Sequence, residues 1–130
     1  LEELMSNTDL TSRSNTTTIW VKFTKPGIHC YPNAPDEVSY LRSPHRHLFY
    51  FKVSISVFHD DREIEFHMFL NRLKALYETS ILQLDHKSCE MIATELLEQI
   101  LKMYDCRLRQ VVVEVSEDDE CGAVVCSTPT

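Results

Sequence analysis

Residues 48–58 read LFYFKVSISVF, and their alternation decides the fold. Phe49, Phe51, Val53, Ile55 and Val57 occupy every second position, with Lys52, Ser54 and Ser56 between them. Successive side chains of an extended chain point to opposite faces. The stretch is therefore a long strand with one face meant for a core. Upstream, Thr18-Ile19-Trp20-Val21-Lys22-Phe23 is a second strand of aromatic and β-branched residues, and Lys25-Pro26-Gly27 reads as its break. Residues 30–44, with Pro32, Pro35 and Pro44, form the loop between the two strands.

Downstream the period changes. His59-Asp60-Asp61-Arg62 is a polar connection, after which Phe66, Phe69, Leu70, Leu73, Leu76 and Tyr77 recur at three-to-four spacing and predict a helix over 65–78. A second helix is expected over 88–104, with Cys89, Ile92, Ala93, Leu96, Leu97, Ile100 and Met103 as its stripe and Ser88 as N-cap. Strands are expected over 108–115 and 122–125, joined by the acidic turn Glu117-Asp118-Asp119-Glu120. The order ββααββ implies an α+β fold: a four-stranded antiparallel sheet with two helices on one face. Its exposed edges would be removed if several copies closed into an oligomeric barrel.

The chain has 130 residues, 43% hydrophobic and 25% charged, which suits one globular domain. That domain is expected over 17–126, with residues 1–16 as a flexible arm rich in Ser, Thr and Asn, and 127–130 as a tail. The charge of −7, with scattered basic residues, speaks against a nucleic-acid partner, because phosphate neutralisation needs clustered Lys and Arg. No apolar run is long enough to span a membrane. Five cysteines, an odd number without CxxC spacing, point to reduced thiols and a cytoplasmic setting.

His45-Arg46-His47 is the pattern that carries chemistry. Residues i and i+2 of a strand share a face, so both imidazoles can converge on one ion. His29, at the end of the first strand, is placed to supply a third ligand. Three protein ligands and one open position form the catalytic zinc arrangement. The alternative is that these are ordinary strand-end histidines with hydrogen-bonded edges. His59 and His67 have no partner at ligand spacing and are expected on the surface.

On these and further segments the chain resembles the 6-pyruvoyltetrahydropterin synthase and 6-carboxytetrahydropterin synthase family, built on the T-fold. Phe23 to His29 is similar to the segment bearing the family's first zinc histidine, and His45-Arg46-His47 to its His-Gly-His. Glu63-Ile64-Glu65-Phe66 resembles the opening of its first helix, Leu84-Asp85-His86 its Leu-Asp-His, and Ser88-Cys89-Glu90 its Pro-Thr-x-Glu. Val115-Ser116-Glu117 resembles the strand end that presents a pterin-anchoring glutamate. The likeness spans residues 19–125. It implies Zn²⁺ held by His29, His45 and His47. It also implies a pterin or purine-like ligand held by Glu117 with Glu90, proton transfer by Asp85 and His86, and a homo-oligomer, trimer or hexamer, with sites between subunits. A carboxylate such as Glu117 suits an amino-pyrimidine edge because it offers two acceptors to paired N–H donors.

Three departures from the family pattern stand out. Leu41 occupies the position of the family's catalytic Cys, and Cys30, beside His29, is the nearest substitute thiol. Only Lys87 separates His86 from Ser88, where the family has a longer stretch. Arg46 replaces the middle glycine and would bring a positive charge to the metal. Three functions follow: a zinc-dependent lyase acting on a reduced pterin triphosphate, a protein that binds a pterin, purine or nucleotide without turnover, and a T-fold subunit whose role is assembly.

Overall fold

The computed structural model describes residues 14–130. Most of the arm expected over 1–16 lies outside the described residues. The elements are β1 (Thr17–His29), a short 3-10 helix (Asp36–Leu41), β2 (His45–Val57), α1 (Phe66–Ala75), β3 (Leu82–Asp85), α2 (Cys89–Met103), β4 (Val111–Glu117) and β5 (Cys121–Ser127). They build an α+β fold around one five-stranded mixed sheet of order β3-β1-β2-β4-β5.

The core is the one that residues 48–58 foretold. Phe49, Phe51, Val53, Ile55 and Val57 are all buried, and β1 and β4 add Val21, Phe23, Val111, Val113 and Val115 to the same cluster. Phe23 and Phe51 stack with ring centroids 4.6 Å apart. Against this face pack Phe69 and Leu73 of α1 and Ile92, Ala93, Leu96, Leu97 and Ile100 of α2. The helices therefore cover one face of the sheet, as expected. Glu65 caps α1 by accepting from the His67 and Met68 amides, and Ser88 caps α2 by accepting from Met91 N at 3.2 Å.

Several expectations are corrected. The sheet has five strands rather than four, and β3 pairs parallel to β1, so the sheet is mixed and not wholly antiparallel. Four residues, Leu-Gln-Leu-Asp, are too few for an alternation to announce itself, but Leu82 and Leu84 are buried in the core. Lys25-Pro26-Gly27 does not break β1, which runs on to His29 in register with β2. Proline is tolerated in a strand where one side lacks a partner, and β1 meets β3 only from Gly27 onward. Lastly, α1 ends at Ala75, three residues short of the expected helix, and β4 begins at Val111 but continues to Glu117.

Candidate metal centre

The register of the sheet assembles the site. His29 lies opposite His45, Gly27 opposite His47, and Phe49 opposite Glu117. By strand alternation His45, His47 and Phe49 share the core-facing side of β2. The three histidines thus form the end of the core stripe, beside the start of α2. Arg46, between them, is exposed and by the same alternation faces away, so its charge is not brought to the histidines as the sequence had suggested. Gly27 is required at its position. A Cβ there would meet Leu84 Cδ1 and the Phe49 ring at 2.9 Å. The pairing of β1 with β3 shifts between Ile28 and His29, with Cys30 N donating to Asp85 O at 2.8 Å.

The ring centroids of His29, His45 and His47 are 4.6, 5.3 and 4.9 Å apart, and one nitrogen from each lies within 4.8 Å of the others. The opposite nitrogens are all engaged. His29 Nδ1 donates to Lys87 O at 2.9 Å, His45 Nδ1 to Ser43 O at 2.8 Å, and His47 Nδ1 to Asp118 Oδ2 at 2.7 Å. Carbonyl and carboxylate oxygens only accept, so each Nδ1 carries a hydrogen, which leaves Nε2 as the atom each ring can offer to a metal. His29 Nε2 and His47 Nε2 are buried with no hydrogen-bond partner. Glu117 completes the cluster: Oε1 is 3.0 Å from His29 Nε2 and Oε2 is 3.4 Å from His47 Nε2. Three converging ring nitrogens beside a carboxylate fit a cation. The outward hydrogen bonds are those that orient metal-binding imidazoles. The residues present therefore fit a metal, and the donor set suits zinc.

A cleft of about 500 Å³ opens onto these residues. His29, His45 and Glu117 line it, together with residues 86–90 leading into α2, Cys30 beyond the end of β1, Leu41 at the end of the 3-10 helix and Cys121 at the start of β5. The fold thus brings together His29, His45, His47, Glu117, His86 and Glu90. Asp85 does not line the cleft, and among the described residues no hydrogen bond joins it to His86; its backbone is left-handed, with φ of 52°. Leu41 stands in the wall, and Cys30 lies nearby. Burial, with Glu117 and Glu90 close by, pushes the Cys89 thiol up to about 12, so it remains protonated at neutral pH. His59 and His67 are exposed, as expected.

Asp118, which holds His47 from behind, was not singled out in the sequence, where the acidic run reads as a turn beyond Glu117. The signal was present in weak form: Asp118 and Asp119 both have positive φ, 54° and 58°, and aspartate is among the few side chains that tolerate such a tight hairpin turn.

A five-stranded mixed sheet with a three-histidine cluster at the end of its core face defines the class: an α+β protein with a group of histidines that could hold a metal beside a cleft. No family model matches the sequence, and no curated protein matches it either. Solved structures do share the fold. Plasmodium falciparum 6-pyruvoyl tetrahydropterin synthase matches with a TM-score of 0.67 at 14% identity, over 88% of this chain and 99% of that one. A Plasmodium vivax 6-pyruvoyltetrahydropterin synthase in which a catalytic glutamate is replaced by alanine matches at 0.65 and 14%, with the same coverage. Caenorhabditis elegans 6-pyruvoyl tetrahydropterin synthase matches at 0.58 and 11%, over 91% of this chain and 99% of that one. The fold is thus that of the pterin synthases, over nearly the whole of both chains and at low identity.

Proposed function

We propose that this protein is a zinc-dependent, pterin-synthase-like lyase of the 6-pyruvoyl/6-carboxytetrahydropterin synthase type, acting on a reduced pterin triphosphate. The observation that supports this most directly is the convergence of one ring nitrogen from each of three histidines, with every Nδ1 committed to a backbone or carboxylate acceptor. His29, His45 and His47 would hold the zinc, which when bound polarises oxygens of the substrate side chain and acidifies the adjoining C–H. Glu117 and Glu90 would accept the N–H donors of the pterin ring. His86, the imidazole across the cleft, would carry the proton, with Asp85 adding negative charge beside it. In the Plasmodium vivax protein a glutamate is a catalytic residue, so a Cys is not the sole group that serves this fold, and Leu41 does not by itself preclude turnover. The reading includes a cytoplasmic homo-oligomer, trimer or hexamer, with β3 and β5 as the edges open to pairing. No described helix is long and apolar enough to cross a membrane.

Leu41 favours a second reading, in which the cleft binds a pterin, purine or nucleotide without converting it. The two are separated by incubating the zinc-loaded protein with 7,8-dihydroneopterin triphosphate. Release of triphosphate is expected for the lyase. Saturable binding by calorimetry without release would establish the binding protein. Metal analysis giving no zinc, where about one per chain is expected, would remove both.

A further inference from the structure

We infer that Glu117 is a fourth, displaceable ligand of the metal, closing the centre until another ligand takes its place. This rests on the three-histidine zinc centre proposed above. Glu117 is the last residue of β4, and its backbone is fixed by the hairpin: Glu120 N donates to Glu117 O at 3.0 Å and Asp118 N to Leu48 O at 2.7 Å. It lies opposite Phe49, on the face that His47 also uses. Its carboxylate spans two of the three rings, 3.0 Å from His29 Nε2 and 3.4 Å from His47 Nε2. Two ligands of a tetrahedral zinc, each about 2.0–2.1 Å from the ion, are roughly 3.3 Å apart.

These contacts are not hydrogen bonds. His29 Nε2 and His47 Nε2 are buried without a hydrogen-bond partner, while the Nδ1 atoms of both rings are already bonded, to Lys87 O and Asp118 Oδ2. A carboxylate set this close to two ring nitrogens without hydrogen-bond geometry is the arrangement that a shared cation produces. As a ligand it also reduces the net charge of the centre from +2, with three neutral imidazoles, to +1. An oxygen donor from a substrate must take the position Glu117 holds. Glu117 would then be released to accept N–H donors elsewhere on the same molecule, which couples ring binding to opening of the metal.

Cobalt-loaded protein tests this by its visible spectrum, with azide as the competing ligand. The wild-type spectrum is expected to be that of a four-coordinate ion and to resist azide. Glu117→Gln is expected to take azide at roughly tenfold lower concentration or less, and to lose cobalt to a chelator about 10- to 100-fold more readily. Identical azide response and cobalt affinity in the two proteins would overturn the inference while leaving the three-histidine centre intact. A wild-type spectrum that shifts with the first additions of azide would overturn it without recourse to the variant. Failure of the wild type to bind cobalt, with His45→Ala indistinguishable from it, would overturn the zinc centre itself and the inference with it.

Discussion

Asp118 holds His47 from behind: its Oδ2 is 2.7 Å from His47 Nδ1, while its Oδ1 accepts the Leu48 amide at 2.9 Å. One carboxylate so ties the β4–β5 turn to β2 and sets the tautomer of a candidate ligand. The Leu48 N–H and then the His47 ring hold the Asp118 carboxyl below its ordinary range, which keeps it an acceptor. Outer-shell acceptors of this kind typically alter metal affinity by about 10- to 100-fold. Asp118→Asn is therefore expected to weaken zinc binding by roughly tenfold in chelator competition, with little change in the melting of the metal-free protein. Equal affinity would mean that the ring is oriented by something other than this contact.

Gly27 links the core to the histidines. Phe49 is fully buried and cannot swing away from a new Cβ, and Leu84 lies on the other side of it. Overpacking of a close-fitted core costs about 1–3 kcal/mol. Gly27→Ala is expected to destabilise the fold by that amount in urea denaturation. It should also weaken zinc binding, because Gly27 lies opposite His47 and the displaced Phe49 ring lies beneath it. Loss of stability with unchanged metal affinity would show that the strain is absorbed away from the site, at Leu84.

The start of α2 orients His29. Ser88 caps the helix, and the preceding residue presents the carbonyl that accepts from His29 Nδ1. Loss of such a cap costs about 0.5–2 kcal/mol. Ser88→Ala is expected to lower stability within that range and, by loosening the Lys87 carbonyl, to reduce zinc affinity further than Ser88→Asp, which retains an acceptor. Similar metal affinity in the two variants would separate the cap from the centre.

Much of this was legible because period-two alternation over residues 45–57 carries both the core face and the histidine face in one pattern. His29 was legible as well, as a candidate third ligand at the end of the first strand, though its pairing opposite His45 was not. The same alternation should have turned Arg46 away from the metal, because i and i+1 cannot share a face. What could not be read were relations that depend on pairing distant segments. β3 is too short to show a period, and Pro26 looked like a break only because its sequence neighbours say nothing of which strand lies beside it. The acceptors behind the rings, Lys87 O and Asp118, are 58 and 71 residues from the histidines they orient. No local pattern encodes a contact of that kind, and a carbonyl leaves no trace in the side-chain sequence at all.

Away from the centre, Glu63 and Arg109 form a bidentate pair that joins the β2–α1 connection to the start of β4. Arg109 Nη1 also donates to Ser56 O at 2.9 Å, and its guanidinium lies 4.2 Å from the Phe58 ring centroid. Both side chains are largely buried, Arg109 at 10% and Glu63 at 19% exposure. The Arg109 hydrogen bonds, offset in part by burial and aided by the Phe58 amide, lower the Glu63 carboxyl from 4.5 to about 2. A carboxyl held low in the folded chain stabilises it fully above its unfolded value and loses that contribution as pH falls through the folded one. Stability is therefore expected to fall between pH 4.5 and about 2, by no more than about 3 kcal/mol from this group. Glu63→Gln should be less stable than wild type at pH 7, because Arg109 is left without its counter-charge. The difference should shrink as the solution is acidified through that window. Urea denaturation of both proteins across the range measures it, and a constant difference would show that the ionised carboxylate is not what holds Arg109 in place.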